Sequence, residues 1–229
     1  MKIYFVRHGH PNYELDCLTD LGNLQADACA KRLAREGIQK IYSSSQGRAV
    51  ATAECTAREL GLCVEPVDFF RELRWSSKTD QPIFQNGHPW RVADDMVLKG
   101  EDLLDKDWAK SPRFSSSLIV EHVKRVTDGL DEWLGTLGYQ REGNYYRVIG
   151  DHTNQSVALF GHGGSSSAAL SHLLSLPLPW VLQSVRLDFT SITVIELADE
   201  LGTLTFPRVS LLGDARHIEG IDSELFFGN

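Results

Sequence analysis

Arg7 and His8 stand side by side, directly after the apolar run Ile3-Tyr4-Phe5-Val6 and directly before Gly9. An uninterrupted apolar run of this kind reads as a central strand covered on both faces, so the pair falls where the strand ends. In open α/β sheets ligands bind outside the carboxyl ends of the strands. A neutral imidazole placed there is a usable nucleophile near neutral pH. An adjacent guanidinium offers a fork of N–H donors to the oxygens of an anion. The pair alone is weak evidence, because a strand-end histidine also serves as a structural hydrogen-bonding group.

Two further blocks repeat the arrangement. Ser43-Ser44-Ser45-Gln46-Gly47-Arg48-Ala49 follows a predicted strand over 38–43 and puts Arg48 near the start of the next helix. Free N–H groups and the helix dipole favour anions at that point. Phe160-Gly161-His162-Gly163-Gly164-Ser165 follows a predicted strand over 156–160 and precedes a helix over 163–176. Its glycines let backbone approach a ligand closely. Taken singly, a serine-rich turn with a solvated arginine and a glycine turn with an incidental histidine account for these blocks equally well. Taken together they converge. In a parallel sheet the three strand-to-helix junctions share one edge, so Arg7, His8, Arg48 and His162 would meet in one pocket suited to a tetrahedral dianion such as phosphate.

The elements that must hold this pocket alternate strand and helix, the mark of a parallel sheet. Thr19 is a plausible N-cap for a helix that Gly37 follows, with an apolar face of Leu21, Leu24, Ala28 and Leu33. A second helix over 46–60 stops at Gly61, and 63–67 reads as a third short strand. Residues 74–113 break the pattern with Pro82, Gly87, Pro89, Gly100, Pro112 and the tryptophans Trp75, Trp90 and Trp108. They read as an inserted segment over one end of the sheet, with short helices at most. It is either a functional lid or surface elaboration. A helix over 114–137 carries one apolar stripe of Ile119, Val123, Val126, Leu130, Trp133 and Leu137, with Gly138 placed to stop it. Strands follow at 145–149, and 191–197 with 204–209 reads as a closing pair around the Asp199–Gly202 turn. The expected fold is α/β, a three-layer α/β/α arrangement with a mostly parallel central sheet, as a single domain over 1–229.

Composition narrows the partners. A net charge of −8 argues against nucleic acid or an anionic membrane as the main ligand, yet a local arginine cluster still binds a small phosphorylated substrate. Cys17, Cys29, Cys55 and Cys63 form no C-x-x-C pair and read as free thiols in a reducing compartment. The N-terminal apolar run is too short for a signal peptide, and no run approaches the ~20 apolar residues of a membrane span. A cytoplasmic location is therefore expected. The 8 histidines form no HExxH, so metal-dependent hydrolysis is a distant alternative; no metal and no cofactor are expected. Cys29 and Arg35 have the C-x5-R spacing of a thiol phosphatase, but the intervening AKRLA lacks the glycines of a phosphate loop. GHGG suggests an esterase oxyanion loop, but no G-x-S-x-G elbow accompanies it.

The blocks resemble, in order, those of branch 1 of the histidine phosphatase superfamily, the phosphoglycerate-mutase-like proteins. The matching segments are VRHGH (6–10), LTDLGNLQA (18–26), SSSQGRAVATA (43–53, with Ser45 where the family usually has proline), RELRW (71–75), GHGG (161–164) and LLGDARHI (211–218). The resemblance implies a phosphoglycerate mutase-like fold and catalysis without cofactor. It makes His8 the nucleophile that becomes a phosphohistidine. Arg7, Arg48, His162 and Gly163 would hold the phosphoryl oxygens, with His162 also catalytic. Glu72 would be the acid that protonates the leaving oxygen, then the base that activates water. Asp68 and Asp80 compete for that role, and Glu72 also reads as a surface carboxylate paired to Arg71 or Arg74. After the RHG motif the family often has Glu or Gln, then Thr, then an Asn further on. Here His10 and Pro11 stand in those places and Asn12 comes early, which makes His10 and Asn12 candidate substrate contacts. Hydrolysis of a small phosphomonoester is the expected activity. The nearest alternative is phosphoglycerate-mutase-type transfer, and beyond enzymes, non-catalytic binding of a phosphorylated ligand.

Overall fold

The computed structural model describes residues 1–79, 81–150 and 154–221, so the competing carboxylate Asp80 lies outside the described residues. The chain runs β1 (Lys2–Arg7), a small hairpin of β2 (Pro11–Asn12) and β3 (Cys17–Leu18), α1 (Asp20–Leu33), β4 (Lys40–Ser43), α2 (Gly47–Leu60) and β5 (Val64–Pro66). It continues with α3 (Pro89–Leu98), α4 (Ile119–Thr136), β6 (Tyr139–Glu142), β7 (Tyr145–Val148), β8 (Ser156–Gly161), α5 (Gly163–Leu174), α6 (Leu178–Ser184), β9 (Ile192–Glu196), β10 (Leu204–Thr205) and β11 (Arg208–Asp214).

The main sheet has the order β11-β9-β1-β8-β4-β5. β1, β8, β4 and β5 are mutually parallel, while β9 runs antiparallel to β1. Strand side chains alternate between two separate cores, as the period of two requires. Ile3, Phe5, Val157 and Leu159 face one core, shared with Val126 and Leu130 of α4 and Ala168 and Ala169 of α5. Tyr4, Val6, Ala158 and Phe160 face the other, shared with Cys29 and Leu33 of α1 and Ala53 and Ala57 of α2. Helices therefore cover both faces of β1 and β8, and the α/β/α layering holds. Among the described residues no helix is long and apolar enough to cross a membrane.

Three expectations are corrected, and the inserted segment gains detail. The buried face of α1 is Gly22, Gln25, Ala26, Cys29, Ala30 and Leu33, and Leu24 is exposed. Small residues win because α1 packs tightly on the hairpin side, where any side chain at Gly22 would strike the His10 carbonyl. α4 begins at Ile119 rather than at 114, because backbone groups of 116–118 bond instead to 76–78: Lys78 N to Ser116 O at 2.9 Å and Leu118 N to Ser76 O at 3.0 Å. All six stripe residues of that helix are buried as expected. The segment 74–113 carries a ten-residue helix, α3, whose Val92, Ala93 and Met96 join the core. The run 204–209 is not one strand. Pro207 cannot donate to a ladder, and the chain divides there. β10 pairs with β7 in a small antiparallel sheet, and β11 pairs with β9.

Candidate active site

The carboxyl ends of β1, β8 and β4 lie side by side, with Arg7 opposite Gly161 and Ser43 opposite Phe160. His8 follows β1 and is locked by backbone: its N–H donates to Gly161 O (2.9 Å), and its carbonyl accepts from Thr190 N (3.2 Å). Its ring Nδ1 lies 2.7 Å from the Gly9 carbonyl. A carbonyl can only accept, so Nδ1 carries the proton and Nε2 presents its lone pair. Arg48 Nε donates to that lone pair at 3.3 Å. Burial, with Arg7 next in weight, holds the His8 ring well below the ordinary imidazole range, so it stays neutral.

His162 follows β8 and lies with its ring centroid 5.2 Å from that of His8. Its Nε2 sits 2.8 Å from Ser44 Oγ, a hydroxyl that already accepts from Gln46 N. Where Ser44 donates to Nε2, the proton of His162 stays on Nδ1 as a free donor. Burial and the neighbouring His8 and arginines keep this ring neutral as well. Arg7 stacks over Phe189, 4.2 Å from the ring centroid, and anchors one N–H on Leu187 O at 2.6 Å. Arg7 Nε and His162 Nδ1 are buried polar atoms with no partner among the described residues. A buried donor left unmet is costly, so two in one pocket point to an acceptor with several oxygens.

Arg48 sits in the first turn of α2, where Asp16 holds it: Asp16 Oδ1 pairs with Arg48 Nη1, and Oδ2 accepts from Gly47 N at 2.7 Å. Glu72 stands across the pocket at the start of α5. Its Oε1 accepts from Ser165 N (3.0 Å) and Leu73 N (2.8 Å), and its Oε2 from Gly164 N (3.3 Å). A methyl group on Gly164 would sit 2.5 Å from Oε1, so that glycine gives the carboxylate its place. Glu72 also interacts electrostatically with Arg7. Its competitor Asp68 is instead bound to the Ser45 hydroxyl. A methyl group on Gly163 would sit 3.6 Å from the carbon of the Arg7 guanidinium, so this glycine lies against it.

Arg7, His8, Arg48, His162, Gly163 and Glu72 therefore surround one space. His10 borders this space, acting on His8 and sharing the Phe189 ring with His8 and Arg7, while Asn12 closes the hairpin turn. His10 Nδ1 meets Thr19 Oγ1 at 2.9 Å, and the ring packs on Phe189. Asn12 Oδ1 accepts from Glu14 N and Leu15 N, closing the hairpin turn. Sequence reasoning missed Asp16, Ser44 and Phe189. Ser44 lay inside a motif already singled out. Asp16 lay two residues before the LT block, and Phe189 carried no pattern at all.

The family model of the histidine phosphatase superfamily, branch 1, matches residues 3–208. A Hydrogenobacter thermophilus protein provisionally named phosphoserine phosphatase 2 is 24% identical over 214 residues, 90% of this chain and 94% of that one. A Yersinia pestis protein provisionally named phosphoglycerate mutase is 32% identical over 92 residues, 36% of this chain and 43% of that protein. Among solved structures, the mycobacterial glucosyl-3-phosphoglycerate phosphatase with inorganic phosphate has a TM-score of 0.64 at 23% identity, covering 94% of this chain and 98% of that chain. That likeness is one of fold.

Proposed function

Because the chain belongs to branch 1 of the histidine phosphatase superfamily, we propose that it hydrolyses a small-molecule phosphomonoester through a phosphohistidine on His8. The observation that carries this reading is the meeting of a neutral His8, whose Nε2 lone pair holds only the 3.3 Å bond from Arg48 Nε, with the buried unpartnered Arg7 Nε and His162 Nδ1. Nε2 attacks phosphorus, and the bond from phosphorus to the leaving oxygen breaks. Glu72 gives its proton to that oxygen. Arg48 releases Nε2 and turns its N–H groups to the phosphoryl oxygens, beside Arg7 and His162. Glu72, now a carboxylate, takes a proton from water. The water oxygen attacks phosphorus, the phosphorus–nitrogen bond breaks, and inorganic phosphate leaves with His8 and Glu72 restored.

Hydrolysis is favoured over mutase-type transfer because the relative that matches over most of both chains is named a phosphatase, whereas the mutase-named relative matches over 36% of this chain. Segment 74–113 is read as the specificity element: Trp75, His88 and Trp90 cluster in it with ring centroids 4.9 to 6.4 Å apart. A cytoplasmic setting fits the 4 free cysteines and the acidic composition. The test is turnover of 4-nitrophenyl phosphate. Wild type should release phosphate and His8→Ala should lose about three orders of magnitude or more in kcat. Acid-labile phosphate should appear on wild type after a rapid quench. Equal activity of both proteins, or an inert wild type, defeats the reading.

A further inference from the structure

The turn between β2 and β3 carries one aromatic side chain over the pocket. Tyr13 sits in it between Asn12, whose Oδ1 accepts from Glu14 N and Leu15 N at 3.1 Å, and Asp16, which is tied to Gly47 N and to Arg48. The backbone is thus fixed on both sides of Tyr13. The side chain itself is 65% exposed, so core packing does not decide where it lies. It lies nonetheless against both arginines of the pocket. Arg48 Cζ stands 5.5 Å from the ring centroid, and the phenol hydrogen-bonds the Arg7 guanidinium.

Each contact has a definite polarity. The face of a tyrosine ring is negative and attracts the Arg48 guanidinium. A guanidinium only donates, so the phenolic oxygen accepts from Arg7 and its own O–H proton is free to donate elsewhere. Both arginines act on the His8 ring, and Arg48 Nε is 3.3 Å from its Nε2. Arg7 Nε and His162 Nδ1 are buried donors without partners in the same pocket, and the phenol brings a further donor from the solvent side. A surface aromatic lying on a neighbouring arginine would account for one of these contacts. It does not account for two that converge from separate elements, Arg7 at the end of β1 and Arg48 at the start of α2.

We propose that Tyr13 is a further substrate-binding residue of this pocket: its O–H donates to an oxygen of the phosphoryl group held by Arg7 and Arg48, while its ring covers Arg48 on the solvent side. The proposal rests on the phosphatase reading of the His8 pocket. A bond made to substrate and to product phosphate alike is uniform binding, so its loss weakens both and leaves the chemical step nearly unchanged. A residue that only supported Arg48 would behave otherwise. Arg48 has to release His8 Nε2 during the reaction, so displacing it would show in kcat.

Two variants take the side chain apart. Y13F keeps the ring and removes the O–H; Y13A removes both. Affinity for inorganic phosphate is measured by calorimetry, kcat and KM with 4-nitrophenyl phosphate, and Tm by thermal melts. Y13F should weaken phosphate binding about tenfold and raise KM by a similar factor, with kcat within about twofold of wild type and Tm unchanged. Y13A should weaken phosphate by a further factor of about three, because the ring over Arg48 is lost as well. A Y13F protein that binds phosphate as wild type does, or one that loses kcat while its phosphate affinity is kept, overturns the proposal. If wild type turns over no ester but Y13F still weakens phosphate binding by that factor, the phosphatase reading falls and the Tyr13 contact stands. A wild type that binds no phosphate overturns both.

Discussion

At the scale of single residues, the pocket assigns different work to groups of similar type. His8 and His162 are both buried and neutral, yet only His8 has its Nδ1 fixed on a carbonyl, which leaves Nε2 unprotonated and makes it the proposed attacking atom. Glu72 is held by three backbone N–H groups from two segments, so its position does not depend on a flexible stem. In its proposed role of proton donor it should matter most where the leaving oxygen is strongly basic. Glu72→Gln is expected to slow hydrolysis of an alkyl phosphate by about 10²–10⁴-fold and that of 4-nitrophenyl phosphate only a few-fold. Equal loss on both esters would move the acid elsewhere. The residues that act through type and position, Arg7, His8, Arg48 and His162, were legible in the sequence because each ends a strand or begins a helix. Ser44 and Phe189 were not. One is a serine among three, and the other is an isolated aromatic in the loop between α6 and β9, where no periodicity marks it.

At the scale of elements, the β2–β3 hairpin supports the pocket from outside it. Asp16, with a positive φ of 48°, turns its carboxylate onto both Arg48 and the free N–H of Gly47 at the start of α2. It thus caps the helix and aims the guanidinium, whose Nε reaches His8. We predict that Asp16→Ala lowers kcat/KM by about tenfold and costs roughly 1 kcal/mol of stability through the lost cap. In an Arg48→Ala background the same substitution should leave kcat/KM nearly unchanged while still lowering Tm. A double-mutant cycle measures this, and additive losses in kcat/KM would show that Asp16 acts other than through Arg48. The hairpin was hidden from sequence reading because the loop after His8 departs from the family pattern. Strands with apolar runs and helices with clear stops were legible, as β1, β8, α2 and α4 show. The face of α1 was not, because close packing at Gly22 favours small residues over the larger Leu24. Nor was the break at Pro207, where pairing with two different sheets decides the strand ends.

At the scale of the whole molecule, a catalytic pocket that stores neutral imidazoles makes the fold sensitive to acid. Burial lowers the pKa of His8 and His162 well below the ordinary value, and lowers that of the half-buried His217, bound to Thr190 at the same sheet edge, to about 4. In the unfolded chain each ring titrates near ~6.5. Above that pH folded and unfolded states are both neutral, and the histidines add no pH dependence. As pH falls below it, the unfolded chain takes up protons that the folded chain refuses, so the unfolded state binds more protons and stability drops. A fully buried ring contributes up to about 1.4 kcal/mol per pH unit in that window, and two such rings contribute roughly twice that. Against a typical stability of about 5–15 kcal/mol this is a large slope. Tm is therefore expected to be flat from pH 8 to 7 and to fall steeply from pH 6.5 to 5. H8N/H162N, which removes both buried imidazoles, should show a clearly shallower fall over the same range, with the remainder including His217. Thermal melts of the two proteins across these buffers decide the matter. A wild type whose Tm does not change down to pH 5, or a double variant with the same slope, would mean that the pocket histidines are not what the fold protects from protonation.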